Sequence, residues 1–187
     1  MAAILEIPEV RQRVSPLSVE EYHRLGEFNE NRRRTELIRG ILIQKMSKSP
    51  LHSFISKRLY DRFAAALPSG LIIRREDPLT FADSEPEPDL AVVRGAETDF
   101  LRAHPRTAEL VVEVAVANPA LDRENAGLYA QAEVKEYWIV LAKERCIEVY
   151  TRPQDGRYQE TRTVAVGQTL DCAAVPALRI AVSDLFG

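Results

Sequence analysis

Leu110-Val111-Val112-Glu113-Val114-Ala115-Val116 is a nearly continuous apolar run with a single carboxylate in its middle. Such a run predicts a strand covered on both faces, and therefore a central one. A carboxylate inside it is strongly disfavoured unless something neutralises it, so Glu113 calls for an arginine or a metal ion. Upstream, Pro88-Asp89 stands at the mouth of a second apolar run, Leu90-Ala91-Val92-Val93, and is preceded by Asp83, Glu85 and Glu87. Asp89 alone reads more readily as an ordinary turn or strand-start residue. Two carboxylates on strand ends are the hard oxygen donors that Mg2+ or Mn2+ prefers, although periodicity does not say which strands are neighbours.

Further toward the N-terminus, the run from Glu36 to Met46 is broken by Arg39-Gly40, which predicts two strands at a tight turn or one strand with a bulge, with Glu36 at a strand start. Ser18 followed by Glu21 has the form of a capping box, and Tyr22, Leu25 and Phe28 continue it as a helix over 18–28. Leu51, Phe54, Ile55, Leu59 and Phe63 predict a helix with one buried face, ending near Pro68-Ser69-Gly70. Leu71–Ile73 and Leu79–Phe81 read as short strands. Toward the C-terminus, Asp122–Glu133 predicts a helix with Leu128, Tyr129 and Ala132 inward. Tyr137–Val140 and Ile147–Tyr150 follow as adjacent strands, and Tyr158–Val166 and the segment ending at Ile180 as edge strands. The expected organisation is a loose N-terminal arm, 1–17, and a single α/β domain, 18–187, with one mixed sheet and helices packed on it.

At 187 residues, 45% apolar and 28% charged, the chain has ordinary globular composition and enough length for a core. Cys146 and Cys172 form no CxxC unit, so both are expected to be plain core residues in a reducing compartment. No apolar run approaches the ~18 residues a spanning helix needs, and the N-terminus lacks a secretory core, so a cytoplasmic protein with no membrane partner is expected. There is no GxxxxGK[ST] loop, GxGxxG, HExxH or GxSxG, which removes support for nucleotide hydrolysis and serine chemistry. His23, His52 and His104 lack ligand spacing for zinc; His52 keeps some functional interest because it starts a basic helix. Net charge is −3, yet residues 31–62 hold nine Lys or Arg against Glu36 and Asp61. That segment is either a solvated surface or a phosphate-contact surface.

The ordered set Glu36-Leu-Ile-Arg-Gly40, Pro88-Asp89-Leu-Ala-Val-Val93, Val112-Glu113-Val114, Tyr129-Ala130, Glu136-Tyr137-Trp138-Ile139-Val140 and Val182-Ser-Asp-Leu-Phe186 resembles a restriction-endonuclease family abundant in cyanobacteria and the Deinococcus and Thermus group. The resemblance runs from about Ser18 to Phe186. It implies a restriction-endonuclease-like α/β (α+β) core of the PD-(D/E)XK type, a central mixed sheet flanked by helices. It also implies that Asp89 and Glu113 hold Mg2+ or Mn2+, with Glu36 as a third carboxylate and the Val114 carbonyl as a further ligand.

The superfamily's lysine is absent: Ala115 stands where it is often placed. The family's alternative, four residues before the Tyr-Ala pair, is Asn125, a hydrogen-bond donor without charge. Leu141 replaces an aspartate of the family pattern. The resemblance therefore implies a metal-dependent endonuclease acting on DNA, with Glu36, Asp89, Glu113 and Asn125 in the catalytic set and Arg123, Lys135 or Lys45 as candidate substitutes for the cation. A homodimer would suit cutting both strands of a duplex. The competing expectation is a decayed relative that binds nucleic acid or a protein without cleaving.

Overall fold

The computed structural model describes residues 8–27 and 34–187. Phe28, Arg32 and Arg33, which figured in the expected helix end and basic segment, lie outside them. Contacts divide the chain into two compact units: Met1–Met46 with Ala82–Pro86, and Ser47–Phe81 with Glu87–Gly187.

The first unit contains α1 (Pro8–Arg11), so the expected loose arm carries one helical turn, then α2 (Val19–Glu27), β1 (Thr35–Ile38) and β2 (Ile41–Gln44). The capping box forms as expected: the Ser18 amide and hydroxyl donate to Glu21 Oε2, and the Glu21 amide donates to Ser18 Oγ. Of the two alternatives for 36–46, the tight turn is the one adopted. Ile38 pairs with Ile41 in an antiparallel hairpin, and Arg39 and Gly40 both have positive φ, 49° and 73°. Two positive-φ central residues give the turn whose twist matches paired strands.

The second unit is built on six strands in the order β3 (Leu71–Arg74), β4 (Leu90–Arg94), β5 (Leu110–Ala115), β6 (Glu136–Leu141), β7 (Cys146–Gln154) and β8 (Arg157–Ala165). Only β5 and β6 run parallel; the other neighbours are antiparallel. The parallel pair requires a crossover, supplied by α4 (Ala120–Gln131). Alternation along β5 sends Leu110, Val112 and Val114 into a core with Ile55, Leu59 and Phe63 of α3 (Pro50–Ala66), while Val111 and Ala115 share a core with Ala126 and Tyr129 of α4. The sheet is thus covered by a helix on each face, and β5 is interior, as its apolar run predicts. Cys146 and Cys172 are free and buried.

Three local expectations are corrected. Leu79–Phe81 is not a strand; Leu79 is buried, but the Thr80 amide bonds Pro105 carbonyl rather than a ladder partner. Leu51 and Phe54 are 41% and 43% exposed, because the buried line of α3 is Ile55, Leu59 and Phe63 at four-residue steps. Phe54 lies off that line, with the Arg58 guanidinium 4.5 Å from its ring centre. The segment ending at Ile180 forms β10 (Arg179–Ala181), which pairs with β9 (Thr169–Asp171) in a separate two-stranded sheet instead of extending the large one. Among the described residues no helix is long and apolar enough to cross a membrane.

Candidate active site

Antiparallel pairing sets Leu90 against Val112, so the residue before β4 meets the residue after Val112. Asp89 and Glu113 are therefore brought together by register. The Asp89 amide donates to Glu113 Oε2 at 3.1 Å, and the Val114 amide donates to Asp89 Oδ2 at 2.9 Å. The group of Val114 that meets Asp89 is its N–H; the resemblance implied its carbonyl as a ligand. Glu113 lies on the α4 side of β5, where the Tyr129 hydroxyl donates to its Oε1 at 2.9 Å. Asn125 is buried on α4 one helical turn before Tyr129, hence on the same side of that helix.

Asp89 has two further partners that sequence reasoning did not assign to it. Lys48 Nζ donates to Oδ1 at 3.1 Å and His52 Nε2 donates to Oδ2 at 2.9 Å. Lys48 also contacts Glu76 Oε1 at 2.6 Å. Burial by itself would raise the Asp89 carboxyl, but the His52 bond and the nearby Lys48 and Val114 amide outweigh it and hold the group below the ordinary aspartate value. An ionised Asp89 accepts from His52, so Nε2 carries the proton of that bond; among the described residues the buried His52 Nδ1 has no hydrogen-bond partner. Local folding explains why these side chains converge. Ser49 caps α3, its Oγ accepting from the His52 amide, and Pro50 opens the helix, which sets His52 in its first turn and Lys48 just before it.

Other expected residues stand elsewhere. Glu36 belongs to β1 in the first unit, with Lys45 Nζ 3.5 Å from its Oε2. Arg123 is bonded through Nε and Nη2 to Glu148, and Lys135 Nζ pairs with Glu109 at 2.8 Å, so both candidate substitutes are engaged by other carboxylates. The basic face of α3 is partly neutralised as well: Lys57 pairs with Asp61, Arg62 pairs with Asp184, and Arg58 donates to the Asp184 carbonyl.

Among the described residues no group of three or more His, Cys, Asp or Glu is arranged to hold a metal ion. The Asp89–Glu113 pair nevertheless fits a hard divalent cation, since Mg2+ is commonly held by one or two carboxylates with water and substrate phosphate filling its shell.

Lys48 and His52 escaped sequence reasoning for a simple reason. Each is 41 and 37 residues from Asp89, in a segment whose visible signal was bulk positive charge. The one hint was His52 at the start of the basic helix. Tyr129 was visible as part of a Tyr-Ala pair, but its bond to Glu113 depends on how α4 crosses the sheet.

Comparison with known proteins agrees with this architecture. A crystal structure of a putative nuclease belonging to DUF820 from Anabaena variabilis superposes with a TM-score of 0.77 at 20% identity, covering 91% of this chain and 98% of that one. At that identity the likeness establishes a shared fold. No curated protein matches the chain. The Uma2 family model, described as Putative restriction endonuclease, matches residues 19–183, and with so much of the chain covered the protein belongs to that family.

Proposed function

We propose that this protein is a divalent-metal-dependent nuclease that hydrolyses phosphodiester bonds in DNA. The observation that carries this reading is the interlocked Asp89–Glu113 pair at adjoining strand positions, with the Lys48 cation against Asp89. Asp89 and Glu113 would hold Mg2+ or Mn2+, with the Val114 carbonyl as a further oxygen. Such an ion, when bound, polarises a phosphoryl oxygen and lowers the pKa of a bound water. Tyr129 orients Glu113 through its hydroxyl, and Asn125, one turn away, is assigned the positioning of a water. The third carboxylate, Glu36, rests on the family resemblance alone.

A second reading is a nuclease-like module that binds without cleaving. It is favoured by the hydrogen bonds that already engage both Asp89 carboxylate oxygens and by Ala115, Asn125 and Leu141.

The two readings separate when supercoiled, linear and single-stranded DNA are incubated with the protein in Mg2+ or Mn2+, alongside an Asp89→Ala/Glu113→Ala variant, Glu36→Gln and an EDTA control. The nuclease reading expects cleavage that disappears in the double variant and in EDTA. DNA binding without cleavage by the wild-type chain would overturn it in favour of the binding module.

A further inference from the structure

The family's lysine positions are Ala115 and Asn125 in this chain; Arg123 and Lys135 are engaged by Glu148 and Glu109, and Lys45 pairs with Glu36 of the first unit. We infer that Lys48, from the segment that leads into α3, supplies the missing catalytic cation. The inference rests on the nuclease reading above and identifies a further residue of that same site.

Three observations support it. Lys48 Nζ lies 3.1 Å from Asp89 Oδ1, so its charge sits directly beside the proposed metal carboxylates. Its position is built: Glu76 Oε1 holds the same ammonium at 2.6 Å, and the Glu76 amide in turn donates to the Pro88 carbonyl next to Asp89. The Lys48 side chain also keeps 22% of its surface open, so it is accessible to an incoming phosphate while anchored between two carboxylates.

In hydrolysis, a water oxygen adds to phosphorus as its proton passes to solvent. The bond from phosphorus to the departing strand end breaks with its electron pair on that oxygen, which takes a proton from solvent. Lys48 remains an ammonium throughout, donating a hydrogen bond to the attacking water or to the phosphoryl oxygen where negative charge develops. Removing one such donor costs about 10²–10³-fold in rate.

The test compares wild type with Lys48→Ala in single-turnover cleavage of supercoiled DNA, in Mn2+ affinity measured by electron paramagnetic resonance, and in thermal melting. Should the alanine variant melt early, Lys48→Met, which keeps the stem and loses the charge, is read in its place. The expected result is a fall of about 10²–10³-fold in rate with Mn2+ bound at least as tightly as by wild type, since a competing positive charge has left Asp89. A rate within about threefold of wild type overturns the assignment to Lys48 and leaves the nuclease reading intact. Mn2+ affinity falling in proportion to rate also overturns it, because Lys48 would then only be holding Asp89 in place. Wild-type protein that cleaves nothing overturns the nuclease reading and this inference together, and is recognised because the loss precedes any substitution.

Discussion

At the scale of single residues, the carboxylates held inside the fold differ in their partners: those of the Asp89–Glu113 pair bond each other's strands, whereas others are paired with cations elsewhere. Glu109 is of the second kind. Burial would raise its carboxyl, but Lys135 and Arg94 more than offset this and hold it below its ordinary value of 4.5. A carboxylate with a depressed folded pKa contributes stability above its unfolded pKa, and that contribution disappears as pH falls through the folded value. Wild type is therefore expected to be more stable than Glu109→Gln at neutral pH, with the difference shrinking below about pH 4.5 in urea titrations across pH. A constant difference down to pH 3 would refute the pairing as its source. Glu148 behaves similarly on Arg123, and the neighbouring Tyr150 hydroxyl is pushed up to about 12 by burial and by its bond to Glu148. Glu136, wholly buried, is satisfied by the Trp138 indole, the Ala174 amide and the Cys172 thiol.

At the scale of elements, two short signals set local geometry. Ser49 caps α3 beside the residues that reach Asp89, so Ser49→Ala is expected to cost about 1 kcal/mol in denaturant unfolding. It should also lower the cleavage rate by loosening the helix start that carries His52. A stability loss with an unchanged rate would dissociate the cap from the site. Gly40 is the second signal: its φ of 73° is unfavourable for a side chain, and an added Cβ would overlap Pro16. Gly40→Ala should therefore destabilise the hairpin of β1 and β2 by more than about 1 kcal/mol, visible as early loss of amide protection in Ile38 and Ile41. Protection equal to wild type would show that the turn tolerates the methyl group.

At the largest scale, the six-stranded sheet of the second unit holds Trp138, the only tryptophan, fully buried and T-shaped to Phe63 with ring centres 5.8 Å apart. Phe63→Ala opens a large cavity there and is expected to cost about 3–5 kcal/mol, a major share of the stability of a typical domain. Trp138 fluorescence and far-UV circular dichroism should shift together to lower denaturant, and the slowest-exchanging amides should be those of β5 and β6. Fluorescence changing ahead of circular dichroism would instead show that the α3 face opens separately.

Much of this architecture was legible in the amino-acid order because it depends on local rules. The two-sided apolar run of residues 110–116 implied an interior strand, and the Asp122–Glu133 helix between two apolar runs was compatible with the parallel crossover that forms. The Ser18–Glu21 spacing implied the cap that forms. Asp89 and Glu113 were legible as carboxylates in costly positions. What only the tertiary structure decided was contact. The β4–β5 register brings Asp89 to Glu113, and the path into α3 carries Lys48 and His52 to Asp89 across about 40 residues. It also decided that Leu79–Phe81 would not pair and that β9 and β10 would form a sheet of their own. Periodicity records which face of an element is apolar, whereas register and packing depend on free energies summed over many distant residues, and no local pattern contains that sum.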